Sequence, residues 1–91
     1  MYRIVLLCAG IPAQEGQPVA TSIAEEFANR PWHKNVNCEW DGSRLILQAD
    51  NDFDSSGLAS LDEFSDVISA CIKDVGNGSI EVQSVTVLPA R

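Results

Sequence analysis

The chain has 91 residues, of which 45% are hydrophobic and 21% charged, the balance of an ordinary globular protein. Thirteen acidic residues against six basic ones give a formal net charge of −7 at pH 7. Because nucleic acids and anionic membranes are bound through clustered Lys and Arg, this composition argues against both and favours a basic protein or a cation as partner. The length predicts a single domain over residues 1–91 with a modest core.

The cellular compartment is indicated by the cysteines and the N-terminal segment. The apolar run from Ile4 to Ala9 is too short for the core of a secretion signal, and no cleavage pattern follows it. The three cysteines, Cys8, Cys38 and Cys71, are odd in number and have no CxxC spacing, unlike a disulfide scaffold. We therefore expect three buried, reduced thiols in a cytoplasmic protein.

The first half of the chain predicts a strand followed by a helix. Tyr2 to Ala9 is a continuous apolar run of strand length, typical of a central strand covered on both faces. Residues 10–17 are rich in Gly and Pro and predict a loop. Pro18 then suits the first turn of a helix, whose apolar residues recur at helical spacing as far as Phe27.

Residues 35–49 predict a β-hairpin with Asp41-Gly42 as its two-residue turn. That register places six side chains together on one apolar face: Val36, Cys38, Trp40, Leu45, Leu47 and Ala49. On the other face it sets Glu39 opposite Arg44 as a cross-strand charge pair.

The second half predicts a helix and a last strand. Ser60 and Glu63 have the spacing of a capping box at a helix start. A helical stripe follows, ended by Gly76-Asn77-Gly78: Leu61, Phe64, Ile68, Cys71 and Val75. Residues 80–88 then predict a strand, in which the apolar alternation slips near Gln83 and Ser84 and so indicates a β-bulge.

The predicted order β-α-β-β-α-β indicates an α+β fold. It is the order of the ferredoxin-like sandwich, in which a four-stranded antiparallel sheet carries both helices on one face. Many unrelated functions occur on that fold, so the fold alone does not specify an activity.

The segment from Asp52 to Glu63 resembles the twelve-residue calcium-binding loop of EF-hand proteins. The resemblance implies a calcium site with six ligand residues: Asp52, Asp54, Ser56, Leu58 through its carbonyl, Ser60 and Glu63. Consistent with a cation, residues 45–72 contain six acidic residues and no Lys or Arg. Alternatively, these carboxylates precede a helix because they favour its positive end, and the residues before Asp52 predict a strand rather than an entering helix.

No catalytic constellation is present in the sequence. His33 is the only histidine. It follows Trp32 in a connection, and we expect its imidazole to be exposed or to act as a capping group. Cys8 precedes a Gly-containing loop, but no basic residue follows in that loop to activate its thiol. We therefore expect a non-catalytic interaction module. The alternatives are a calcium-binding domain and a small-ligand-binding or enzymatic dimer of ferredoxin-like fold.

The first strand is apolar on both sides, which supports the interaction hypothesis. If the helices cover one face of the sheet, the alternate side chains of this strand remain on the other, together with Ile46. The predicted bulge would add apolar residues of the last strand. The expected interface, for a homodimer or another protein partner, is Val5, Leu7, Ile46, Val85 and Val87.

Overall fold

The architecture is given by a computed structural model that describes residues 1–71 and 79–89. Its elements are β1 (Tyr2–Ala9), α1 (Ala13–Ala28), β2 (Lys34–Trp40), β3 (Arg44–Asn51), α2 (Leu58–Cys71) and β4 (Ser79–Val87). The strands form one antiparallel sheet in the order β2-β3-β1-β4. The predicted α+β class, with an antiparallel four-stranded sheet and two helices, is confirmed.

The core lies between the two helices and one face of the sheet. The central strands contribute six buried side chains: Ile4, Leu6, Cys8, Leu45, Leu47 and Ala49. The helices meet them with Val19, Ala20, Ile23, Phe27, Phe64, Val67 and Ile68. Val36, Cys38 and Trp40 of β2 pack against this cluster, which confirms the apolar face predicted for the hairpin. Burial of so much apolar surface is the main force that holds helices to sheet.

The turn between β2 and β3 differs from its prediction. Trp40 pairs with Leu45, and the Asp41 N–H donates to the Arg44 carbonyl over 3.1 Å, so the central turn residues are Gly42 and Ser43. Gly42 has a φ of 101°, which glycine adopts readily, and the Arg44 N–H donates to Oδ1 of Asp41 over 2.7 Å. Glu39 consequently faces Ile46, and the predicted Glu39–Arg44 pair is wrong.

Both helices begin earlier than their sequence signals indicated. Helix α1 starts at Ala13, with Pro12 as its N-cap residue, so Pro18 lies inside the helix instead of opening it. Gly16, which suggested a loop, lies buried in α1, where a Cβ would overlap the indole ring of Trp40. Helix α2 starts at Leu58, which places Ser60 within its first turn.

The irregularity predicted for the last strand is confirmed. Val5 pairs with Ser84 while Leu6 pairs with Val82, so one extra residue of β4 is accommodated between them. The bulge was expected to add apolar residues of β4 to the sheet face opposite the helices. Instead, Val85 pairs with Ile4 and Val87 with Tyr2, on the helix-facing side.

The cysteines occupy three different environments. Cys8 is buried, Cys38 is half-buried and Cys71 is exposed near the end of α2, so the expectation of three buried thiols is wrong for Cys71. The predicted stripe residue Val75 and the predicted stop at residues 76–78 lie outside the described residues. Within the described ranges, neither helix is long and apolar enough to cross a membrane.

Candidate functional site: the open face of the sheet

The face of the sheet that turns away from the helices is here called the open face. Its members follow from the strand pairing, because residues directly opposite each other in antiparallel strands point to the same side. Since Ile4, Leu6 and Cys8 enter the core, the alternate residues of β1 lie on the open face: Arg3, Val5, Leu7 and Ala9.

Two neighbouring rows of paired residues cross the middle of the open face. The first row runs through all four strands as Glu39, Ile46, Leu7 and Glu81. The second row runs as Asn37, Gln48, Val5 and Ser84. On the central strands the two rows contain the apolar residues Ile46, Leu7 and Val5 together with the polar residue Gln48, and on the edge strands they contain only polar residues.

Leu7 is the most deeply buried apolar side chain of this face. It is only 5% exposed, yet it does not belong to the core cluster between sheet and helices. Val5, Ala9 and Ile46 around it are each half-buried. These four residues, which we call the open-face patch, form a small apolar surface of their own on the side opposite the helices.

Beside the patch, a buried carboxylate is held by three hydrogen bonds. Arg3 donates from Nε and Nη2 to the two oxygens of Asp50, each over 3.0 Å. The amide of Asn35 donates to Asp50 Oδ2 over 2.8 Å. Asn35 has a positive φ of 51° at an irregularity in β2, a conformation that Asn tolerates well. This network orders the end of the open face where β2 begins.

The strands and the helices differ in charge. The strands carry three basic and three acidic residues, all on the open face by the pairing above: Arg3, Lys34, Arg44, Glu39, Asp50 and Glu81. Within their described bounds, Ala13–Ala28 and Leu58–Cys71, the helices carry six acidic residues and no Lys or Arg: Glu15, Glu25, Glu26, Asp62, Glu63 and Asp66. The open face is therefore balanced in charge, whereas the helix layer is strongly negative.

The residues proposed for calcium differ in their burial and in their partners within the chain. Asp54 is buried and accepts the N–H groups of Ser60 at 2.7 Å and Ala59 at 3.3 Å, so it caps the start of α2. Asp52 and Ser56 are exposed, and Leu58 is the first residue of α2. Among the described residues, no group of three or more His, Cys, Asp or Glu side chains could hold a metal ion. The predicted Ser60–Glu63 capping box is replaced by the Asp54 cap.

Glu63, the last proposed calcium ligand, is turned towards the end of α1. Its Oε1 lies 3.0 Å from Arg30 Nε and accepts the indole N–H of Trp32 over 3.2 Å. Its Oε2 lies 3.1 Å from Nε2 of His33. Glu63 and Asp50 thus have partners within the chain, which removes part of the reason for expecting a cation at the acidic stretch.

His33 was expected to be exposed or capping, and this prediction is wrong. Its ring is stacked on Phe27 with centroids 4.9 Å apart, and its side chain is fully buried. The carboxylate of Glu63 can only accept, which places a proton on Nε2. Nδ1 is buried without a hydrogen-bond partner among the described residues. The single histidine therefore anchors the chain between α1 and β2.

Of the five predicted interface residues, the structure brings three together. Val5, Leu7 and Ile46 are neighbours in the open-face patch. Val85 packs against the core cluster from β4, and Val87 is largely exposed at the end of that strand. The patch also contains Ala9, whose pairing with Arg44 places it on the same face.

Comparison of the chain with protein-family models, with curated proteins and with solved structures found no match.

Proposed function

We propose that the chain is a non-catalytic protein-interaction module that forms a homodimer by packing its open-face patch against that of a second copy. The observation that carries this proposal is the partial exposure of three neighbouring apolar side chains, Val5, Ala9 and Ile46, on a sheet face that neither helix covers. Leu7 lies buried at their centre. Half-buried Val5, Ala9 and Ile46 surround it, and a second sheet face would complete their burial. Contiguous apolar surface of this kind often marks an interaction site.

We further propose that the fold is ferredoxin-like. Strands β1 and β2 are both antiparallel to β3, and therefore run parallel to each other with α1 between them in sequence. Strands β3 and β4 are related in the same way through β1 and are joined by α2. Two βαβ units, each split by a strand of the other, are the arrangement that defines this fold.

The charge distribution supports contact between the sheets rather than between the helices. A two-fold dimer joins the same surface of both copies, so the charges of that surface face an identical set of charges. Two helix layers would oppose six carboxylates with six more, whereas each open face has equal numbers of acidic and basic side chains. Repulsion thus disfavours the helix layer and leaves the open face.

The size of the open face is also suitable. Four strands of about eight residues cover roughly 19 by 26 Å at the usual strand spacing and rise. This area suffices for a small dimer interface only if the polar rim takes part along with the apolar centre. Glu39 and Glu81 on the edge strands and Arg44 beside Ala9 would supply that rim.

The test is the molar mass in solution, measured by sedimentation over a range of concentrations. We expect the wild type to be a dimer and Ile46→Glu to be a folded monomer, because the new carboxylate would be buried without a partner at the centre of the interface. Ala28→Glu adds the same charge on the exposed side of α1 and should leave the dimer intact.

Circular dichroism of Ile46→Glu separates loss of association from loss of folding. A wild type that remains monomeric at the highest concentration contradicts the proposal, as does a dimer that Ile46→Glu leaves unchanged.

A further inference from the structure

The outer surface of the helix layer contains two adjoining grooves along the seam between α1 and α2. The first has a volume of about 300 Å³ and is lined by Glu26, Arg30, Asp66, Val67, Ala70 and Cys71. The second has a volume of about 280 Å³ and includes Glu15, Val19 and again Cys71. Because Cys71 lines both, the two grooves follow each other along the seam.

The first groove combines an apolar base with carboxylates at its mouth. Val67 is nearly buried and belongs to the core cluster, so it forms the base of the groove. Ala70 adds a small exposed apolar surface. Glu26 and Asp66 are exposed side chains of α1 and α2, one on each side of the seam. Neither carboxylate has an ion-pair partner among the described residues.

We infer that this seam docks a basic segment of a partner protein. Lys and Arg side chains pack their methylene stems on apolar surface while their charged ends reach polar groups. Methylene stems that pack on Val67 and Ala70 would bring the charged ends of these Lys or Arg side chains to Glu26 and Asp66. The remaining acidic residues of the helix layer would attract the segment from a distance, since residues 13–28 and 58–71 of the two helices contain no Lys or Arg.

Other occupants fit this surface less well. Among the residues that the structure describes, the groove offers a small cation two carboxylates, and these lie beside the guanidinium of Arg30, which lines the same groove. Arg30 is itself held by Glu63, with 3.0 Å between its Nε and Oε1. A second copy of the chain would bring a second acidic helix layer against the first. A basic segment is attracted by the acidic helix layer, and it can extend past Arg30 along the seam.

This inference is independent of the proposed homodimer. The seam lies on the side of the molecule opposite the open face, so it stays accessible whether the chain is a monomer or a dimer. In a dimer formed through the open face, each copy would present one seam outward.

The experiment measures fluorescence anisotropy of a labelled peptide of Lys and Leu in helical spacing, with its Glu-for-Lys twin as the control probe. We expect the wild type to bind the basic peptide, to bind more weakly as salt is added, and to ignore the acidic twin. The variant Glu26→Lys/Asp66→Lys should lose affinity by about tenfold or more, equivalent to about 1.4 kcal/mol.

The matched control is Glu25→Lys/Asp62→Lys. It changes the net charge equally, from −7 to −3, at exposed helix positions that do not line the groove. We expect it to weaken binding by less than about threefold, the effect of long-range attraction alone. Equal losses in the two variants, or a wild type that binds neither peptide, would overturn the inference. Circular dichroism of each variant verifies that the helices are retained.

Discussion

The guanidinium of Arg3 joins the carboxylate of Asp50 through two parallel hydrogen bonds of 3.0 Å across β1 and β3. The Asp50 side chain is fully buried, whereas that of Arg3 is 40% exposed. Burial acts to raise the pKa of Asp50, but the hydrogen bonds from Arg3 and Asn35 and the charge of Arg3 outweigh it. The pKa of Asp50 is therefore lowered from its ordinary value.

Replacement of Arg3 should reverse the pH dependence that Asp50 gives to stability. In the wild type this contribution is present above the unfolded-state pKa of about 4 and is lost as the pH falls through the lower folded-state value. In Arg3→Met the buried carboxylate loses its charged partner, so burial raises its pKa and ionisation destabilises the fold. The wild type should therefore be more stable than Arg3→Met. The difference in unfolding free energy should be largest at neutral pH and should decrease towards about pH 3.

Urea denaturation at a series of pH values and one protein concentration measures this difference. Arg44→Met is the control, because Arg44 pairs with the exposed residue Asp41 over 3.6 Å and lies nearly half-exposed. Its stability difference from the wild type should vary little with pH. A pH-independent difference for Arg3→Met would contradict the role assigned to the pair.

Asp54 should matter more for stability than Asp52, although both were candidate calcium ligands. Asp54 accepts two N–H groups in the first turn of α2, so Asp54→Ala should cost about 1–2 kcal/mol of unfolding free energy. Asp52 is exposed, and Asp52→Ala should stay within about 0.5 kcal/mol. Chemical denaturation measures both values.

The same measurement in the presence of calcium distinguishes capping from metal binding. If Asp54 acts only as the cap of α2, its replacement costs the same free energy with calcium as with a chelator. A wild type that calcium stabilises, and an Asp54→Ala variant that it does not, would instead favour the EF-hand-like interpretation.

The faces of the hairpin could be predicted from its residues, although its register could not. The observed pairing of Cys38 with Leu47 differs by two residues from the predicted pairing with Leu45. A displacement by two keeps every side chain on its face, because side chains alternate with a period of two along a strand. The open-face position of Ile46 was predicted for the same reason, whereas the alternation of β1 did not decide whether the set with Leu7 or the set with Leu6 lies on that face. The register of a hairpin thus depends on its turn, whereas the face on which a side chain lies depends on the alternation along the strand.

The contacts of His33 and Glu63 illustrate what the sequence does not contain. The two residues are 30 positions apart, and they meet only because α1 and α2 pack side by side. No local pattern marks such a pair, so the histidine was expected at the surface. The same limit applies to Val85, whose face depends on which residue of β4 the bulge displaces. The charge difference between strands and helices, in contrast, follows from the sequence once the element boundaries are known.

Gly16→Ala should destabilise the fold, although Ala is the better helix former. Gly16 lies inside α1, where replacement by Ala would ordinarily gain about 1 kcal/mol. Here the added methyl group would overlap the indole of Trp40, which packs against the core from β2. Overpacking of this kind typically costs about 1–3 kcal/mol. In a Trp40→Leu background the penalty should disappear, and a double-mutant cycle by urea denaturation measures the coupling. Additive effects of the two substitutions would show that the contact is unimportant.

The three thiols should differ widely in their reactivity towards an alkylating reagent in the folded protein. Burial, with smaller contributions from Cys8 and Glu39, raises the pKa of Cys38 to about 12. At pH 8 such a thiol is ionised in only about one molecule in ten thousand, and the thiolate is the reacting species. Burial also raises the pKa of Cys8, which is inaccessible as well. Cys71 is exposed, so mass spectrometry should find a single modified site there.

The rate at Cys71 should in turn respond to Glu26. Partial burial and then the negative charge of Glu26 raise the pKa of the Cys71 thiol, so its thiolate fraction at neutral pH is reduced. Glu26→Gln removes the charge at nearly constant shape, lowers the pKa and should accelerate alkylation, because thiolate fraction increases faster than intrinsic nucleophilicity falls. Glu25→Gln, which removes an equal charge from a position outside the groove, should change the rate less. Equal rates for wild type and Glu26→Gln would mean that Glu26 does not face Cys71 across the seam in solution.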